Sequence, residues 1–188
     1  MLQYVTTNPG KLREARRYLG DDMIDTYDYD YPELQAPSLE PIAAAGARAA
    51  YREVGEPVIV DDAGLFIDAF DGFPGPYSSF VETTIGIDRV WTLAAPLDDR
   101  SAAFRCVLAY CDGEPVDDPV DDGDPPVRCF SGVVDGEIVA PRGDGGFGYD
   151  PIFEHDGATF AELSSDGKNA VSHRGRALES FAAWYSDR

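Results

Sequence analysis

Apolar positions in this chain fall into short runs separated by stretches of helical or loop character. Residues 2–5, Leu-Gln-Tyr-Val, read as a brief buried strand. Residues 9–19 have helical spacing, with Asn8 placed to cap them and Pro9 at the first helical position. A second strand is expected over 23–29, and an alanine-rich helix over 38–54. Val58, Ile59 and Val60 make 57–61 a strand that 64–69 extends, 71–79 is full of Gly and Pro breakers and reads as a loop, and 83–93 reads as a helix. The character then changes. Residues 102–110 and 127–139 are strand-like, joined by an Asp-, Gly- and Pro-rich connection over 111–126. A glycine-rich loop over 141–150 precedes an amphipathic helix over 172–185, expected to bury Leu178, Phe181 and Trp184. Helices and strands interleave first and strands then run consecutively, which predicts an α/β fold on a mixed sheet. There is no internal repeat or long linker, and 188 residues suffice for one core, so residues 1–188 are read as a single domain.

Charge sharpens the picture. Asp and Glu number 35 against 15 Lys and Arg, so the formal charge is 15 − 35 = −20. Such a field repels nucleic acid and anionic membranes, and neither is expected as a partner. Disorder is the other reading of so acidic a chain, but 44% hydrophobic and 12% aromatic content argues for folding. A cytosolic protein from a halophile fits best, because at 1 M salt the Debye length is only about 3 Å and self-repulsion is screened. Thermal stability is therefore expected to rise from dilute buffer to molar KCl; a melting temperature highest at low salt would overturn that reading. Cys106, Cys111 and Cys129 have neither C-x-x-C spacing nor an adjacent His and read as plain thiols. No charged-then-apolar leader precedes Leu2 and no apolar run approaches the ~18 residues of a span, so a soluble cytoplasmic protein is expected.

Candidate chemistry sits in four motifs. Only two of the basic residues are lysines, Lys11 and Lys168, and each lies in a compact polar motif. Thr6-Thr7-Asn8-Pro9-Gly10-Lys11 follows the first strand and opens a helix, where unpaired N–H groups and the macrodipole favour phosphate oxygens. The same residues also fit an ordinary Asn-Pro cap with a surface lysine. The acid pair Asp61-Asp62 ends an apolar strand, and Glu33 lies in a loop after another. Two such carboxylates suit Mg²⁺, although in a chain with 35 acids adjacent aspartates also arise by chance. Gly145-Gly146-Phe147-Gly148-Tyr149-Asp150 suits a flat base approached closely by backbone, or simply a tight turn with core aromatics. Last, Lys168-Asn169 leads to Ser172-His173-Arg174, read as opening the final helix, where cations run against the dipole and call for an anion. Together these motifs point to a phosphate-bearing small molecule.

Taken in order, the four motifs resemble the inosine triphosphate pyrophosphatase family, whose members hydrolyse non-standard purine nucleoside triphosphates to monophosphate and pyrophosphate. Thr7-Asn8-Pro9-Gly10-Lys11 is similar to the family's T-G-N-x-x-K, and Asp61-Asp62-Ala63-Gly64-Leu65 to its E-D-S-G-L. Pro74-Gly75-Pro76-Tyr77-Ser78 is similar to P-G-x-Y-S, and the run from Pro141 through Gly148-Tyr149-Asp150-Pro151 to Phe153 to P-R-G-x-x-G-F-G-Y-D-P-x-F. The resemblance implies an elongated mixed sheet with flanking helices, two lobes around a central cleft, and a homodimer. It implies Asp62 as general base and Mg²⁺ ligand and Glu33 as second metal ligand. Thr6, Thr7, Asn8, Pro9, Gly10, Lys11, Ala63 and Lys168 would contact the triphosphate, and Phe147, Gly148, Tyr149 and Asp150 with His173 and Arg174 would hold the base. ITP, dITP and XTP are the expected substrates. Ala63 departs from the family's serine, so a non-catalytic nucleotide-binding module is the alternative, and a phosphatase releasing orthophosphate a further one.

Overall fold

In the computed structural model residues 1–32 and 34–188 are described, Ser165 and Asp166 by their backbone alone. The elements are β1 (Leu2–Val5), α1 (Pro9–Leu19), β2 (Ile24–Tyr27), α2 (Leu39–Val54), β3 (Val58–Ile67), β4 (Pro74–Gly75), α3 (Ser78–Ile85), α4 (Ile87–Ala94), β5 (Ser101–Cys111), β6 (Arg128–Ile138), β7 (Phe153–His155), β8 (Ala158–Thr159), α5 (Ser165–Val171) and α6 (His173–Ser186). The strands form one sheet in the order β2-β1-β3-β5-β6-β7-β8, with β4 paired to β3. β1 runs parallel to β2 and to β3, whereas β4 on β3, β7 on β6 and β8 on β7 are antiparallel. The mixed α/β expectation therefore holds.

Local chemistry explains the boundaries. Asn8 is extended and its side chain accepts from Gly10 N–H, with Pro9 behind it, so α1 begins where predicted. Three differences stand out. The predicted strands 57–61 and 64–69 are one ten-residue strand, β3. The helix expected over 83–93 is two helices, because Gly86 at φ 81° leaves the helical region while its N–H closes α3 on Val81 and Glu82 carbonyls. The predicted loop 71–79 contains β4 and the start of α3, and β7, β8 and α5 were not anticipated.

Two compact units are present. The first comprises Met1–Asp62, Cys106–Gly132 and Arg174–Arg188. Its core joins Tyr4, Ile24, Ile59, Leu108, Leu178 and Phe181, all fully buried, to the alanine face of α2, Ala43, Ala44, Ala47 and Ala50. Trp184, expected inside, is half-buried: its ring lies edge-on to Tyr110 at 5.3 Å and closes the aromatic cluster of Tyr110, Phe130 and Phe181. The connection expected over 111–126 is pinned to α2, with Arg48 paired to Asp121 and its Nε donating to the Pro125 carbonyl at 3.0 Å.

The second unit, Ala63–Arg105 and Val133–His173, has its own core, in which Leu65, Ile67, Val134, Ile138, Ile152 and Phe153 surround Phe104 and Phe160. Gly64 allows β3 and β4 to meet there. A Cβ at Gly64 would stand 2.1 Å from the Gly75 carbonyl oxygen and 2.7 Å from its carbon, backbone atoms that cannot swing away. Ser78 fixes the same corner, donating to Gly75 O at 2.6 Å and accepting from Leu65 N–H at 2.8 Å. Gly64→Ala is expected to cost about 1–3 kcal/mol by overpacking, measured as a lowered urea midpoint; an unchanged midpoint would show the corner to be loose.

Candidate active site

Strand β1 delivers the chain into the loop that starts α1, and the loop's geometry corrects one expectation. Thr6 Oγ1 accepts from Asn8 N–H at 3.1 Å, Asn8 Oδ1 accepts from Gly10 N–H at 2.8 Å, and the Asn8 carbonyl accepts from Lys11 N–H at 3.1 Å. Pro9 has no N–H to offer. The first-turn amides of α1 are thus satisfied within the loop rather than left open to an anion, because the Asn8 cap that starts the helix uses them. Thr7, Asn8 and Pro9 remain exposed.

What the loop positions instead is Lys11. Its Nζ lies 2.8 Å from Asp61 Oδ1. Asp61 stands on β3 two residues beyond Ile59, which is in register with Tyr4 on β1, and the Tyr4 hydroxyl donates to Asp61 Oδ1 at 2.7 Å. From α6, Arg174 Nε donates to Asp61 Oδ2 at 3.0 Å, while Arg174 Nη1 lies 3.6 Å from Glu14 Oε2 on α1. Asp61's side chain is 1% exposed, Glu14's 5%, Arg174's 12% and Lys11's 24%. A buried ion group built from four elements, β1, α1, β3 and α6, therefore abuts Asp62. Burial alone would raise the Asp61 carboxyl, but the charges of Lys11 and Arg174 and the bonds from Lys11 and Tyr4 outweigh it and hold it well below the usual carboxylate range. Burial also works against Arg174's charge, and Asp61 more than offsets it.

A depressed carboxyl adds stability above its unfolded pKa, about 4, and loses it as pH falls through the folded value. Wild type should thus exceed Asp61→Asn in melting temperature by a margin that is constant from pH 7 to about 5 and shrinks steadily below pH 4. A margin independent of pH would remove the ionised state of Asp61 from the account.

The second unit carries its own charged group. The glycine-rich loop wraps Asp150, whose side chain is 3% exposed: Phe147 N–H donates to Asp150 Oδ2 at 2.8 Å, and Lys168 is ion-paired to the same oxygen. Gly146, at φ 72°, allows this, since a Cβ there would sit 2.1 Å from that oxygen. Lys168 Nζ also lies 4.2 Å from the centre of the Phe147 ring, which is 65% exposed. Tyr149 is buried, its hydroxyl donating to the Ser78 carbonyl at 2.8 Å. Burial, with Glu82 nearby, pushes that phenol above its ordinary range. His173, buried too, stacks on Phe104 at 4.9 Å and 12°.

The structure thus gathers Lys11 and Arg174 at the acid pair in one unit, and Phe147, Asp150 and Lys168 in the other. Ala63 is half-buried on β3 directly after Asp62. Glu33, the expected second metal ligand, lies outside the described residues. The second lysine motif needs correcting: Lys168 is in the last turn of the short helix α5, not at a helix start. Ser172, extended at φ −71°, ψ 149°, ends α5, and α6 begins at His173. Sequence reading passed over Tyr4, Glu14 and Asp61 as partners. Part of the signal was available: an acid continuing the run Val58-Ile59-Val60 is expected to be buried and to need a cation, although which cation is not written in the local sequence.

With this geometry in view, similarity to known proteins becomes informative. The chain is 48% identical over 185 residues to the dITP/XTP pyrophosphatase of Methanosarcina mazei, covering 97% of this chain and 95% of that protein. It is 39% identical to the inosine triphosphate pyrophosphatase of Aspergillus fumigatus, covering 99% and 95% respectively. Among solved structures, a HAM1 protein from Coxiella burnetii superposes with a TM-score of 0.84 at 33% identity, over 100% of this chain and 98% of that one. The Ham1 protein of Staphylococcus aureus gives 0.82 at 27% identity, over 99% and 98%. The family model described as the Ham1 family matches residues 2–184, and with relatives this similar along their whole length the chain belongs to the Ham1 family.

Proposed function

We propose that this chain is a Mg²⁺-dependent nucleoside triphosphate pyrophosphohydrolase that takes ITP, dITP and XTP to the monophosphate and pyrophosphate. One observation carries the reading: Lys11, from the polar loop after β1, meets the acid pair of β3 across 50 residues of sequence. Cation and carboxylate chemistry from two separate motifs is thereby concentrated beside Asp62, as hydrolysis of a polyphosphate requires. The names of the relatives from Methanosarcina mazei and Aspergillus fumigatus support the substrate class.

In this reading Asp62 orients a water on the α-phosphorus and takes its proton. The new P–O bond forms as the bond from the α-phosphorus to the α,β-bridging oxygen breaks, and pyrophosphate leaves. Thr6, Thr7 and Asn8 offer side-chain groups to the phosphates alongside the ammonium groups of Lys11 and Lys168, Pro9 and Gly10 shape that loop, and Ala63 lines the phosphates beside Asp62. Phe147 stacks on the base, and Gly148, Tyr149, Asp150, His173 and Arg174 surround it. Arg174 has donors only, which favours a 6-oxo purine over the N6 amino group of adenine.

The donor set is compatible with the metal. Among the described residues no three His, Cys, Asp or Glu side chains form a ready cage, and Asp61 is committed to Lys11 and Arg174. Asp62 with Glu33 remains, and Mg²⁺ ordinarily takes one or two carboxylates and fills its shell with water and phosphate oxygens. When bound, it would neutralise charge building on the phosphoryl oxygens. The reading extends to a two-lobed homodimer in a halophile's cytoplasm; no helix among the described residues is long and apolar enough to cross a membrane.

The test is direct. Incubation with ITP and MgCl₂ in molar KCl should yield IMP and pyrophosphate in equal amounts. IDP with orthophosphate would mark a phosphatase, and ITP bound without product a nucleotide-binding module; either result overturns the proposal.

A further inference from the structure

We infer that Asp61 is a displaceable counter-ion: a positioning residue that holds Lys11 ready in the free protein and yields it to phosphate oxygens when a polyphosphate binds, thereby limiting the affinity for pyrophosphate and speeding its release. This rests on the pyrophosphohydrolase reading for its place in the reaction, while the exchange itself is a property of the binding group alone.

A buried anion is a costly neighbour for a site that must accept a ligand with three or four negative charges, and its arrangement here is asymmetric. Arg174 is backed by two carboxylates, Asp61 at 3.0 Å and Glu14 at 3.6 Å. Lys11 is ion-paired to Asp61 at 2.8 Å, and at 24% side-chain exposure it is the most open member of the group. Asp61 also keeps the Tyr4 hydroxyl at 2.7 Å. If Lys11 leaves, Tyr4 and Arg174 still hold the Asp61 carboxylate, so no buried charge is abandoned. Lysine is suited to the movement, being a point charge on a flexible four-carbon stem, whereas the planar guanidinium of Arg174 is fixed by its two acids.

Two consequences follow. Lys11 arrives at the ligand from an ordered position, so part of its rotamer entropy is already spent. And each phosphate bond it makes replaces an existing ion pair, so ground-state binding is held down. Binding energy that favours substrate, product and transition state alike does not raise kcat, and it slows departure of a charged product. A carboxylate that competes for Lys11 corrects that, and Asp61 is in contact with it.

Inorganic pyrophosphate, metal-free, is the probe. Calorimetry should find it bound roughly tenfold or more tightly by Asp61→Asn than by wild type, the order expected for removing a unit charge beside the ligand. In the same variant kcat and KM for ITP should fall together, as product release becomes limiting. A purely structural role predicts the opposite, weaker pyrophosphate binding and a raised KM, and that result, or unchanged binding by the folded variant, overturns the inference. Should Asp61→Asn not fold, wild type decides the matter. Its two lysines give two ¹⁵N ammonium resonances, assigned with Lys168→Arg. Saturating pyrophosphate should move the Lys11 resonance away from its Asp61-paired position; a Lys11 signal that stays in place overturns the exchange. Failure of wild type to release pyrophosphate from ITP would instead count against the enzymatic reading, and the pyrophosphate titrations would still judge Asp61.

Discussion

Asp62→Asn is expected to abolish release of pyrophosphate from ITP while the Kd for ITP stays within about tenfold of wild type, because in the proposed mechanism it removes the base and a metal ligand but leaves the phosphate grip. A positioned general base is commonly worth about 10² to 10⁴ in rate, and loss of the carboxylate that would help hold Mg²⁺ adds to it. The amide is nearly isosteric and keeps one acceptor oxygen. Asp62 is half-buried and its neighbour Asp61 carries the ion pairs to Lys11 and Arg174, so the fold and the cation group should persist. Single-turnover kinetics separates the two effects: the chemical step disappears and the binding amplitude remains. Turnover like that of wild type would remove Asp62 from the mechanism, and binding lost along with turnover would make it a ligand contact rather than a base.

The parts legible from sequence were those governed by local rules. β1, α1 and α2 appear where periodicity and caps placed them, because Asn8-Pro9 and the alanine repeat of 43–50 act within one or two turns. The break at Gly86 was hidden, since a glycine in a helical pattern costs only about 1 kcal/mol and need not interrupt it; here its positive φ does. Short antiparallel pieces such as β7 and β8, three and two residues long, carry too little pattern to read. The site followed the same division. Motif order singles out Lys11, Asp62, Phe147, Asp150 and Lys168 as candidates, but their partners depend on which residues long-range packing joins. That Arg174 at the start of α6 needs an anion was deducible from the helix dipole; that the chain supplies one itself in Asp61, 113 positions away, was not.

Arg174→Met is expected to lower stability by about 3–5 kcal/mol, the usual cost of deleting one partner from a buried ion pair. Methionine retains an unbranched apolar stem, so packing in the first turn of α6 is largely preserved and the loss falls on charge. Asp61, 1% exposed, and Glu14, 5% exposed, would then face each other's charge with one cation fewer. At about 2–4 °C per kcal/mol for a chain of this size, the melting temperature should fall by roughly 10 °C. Combining Arg174→Met with Asp61→Asn tests the cause. If the carboxylates carry the penalty, neutralising one of them relieves part of it, and the double variant should be more stable than the sum of single effects by about 1–3 kcal/mol. Strict additivity would mean that Arg174 acts through its packing, and that the acids gathered around it are neighbours rather than partners.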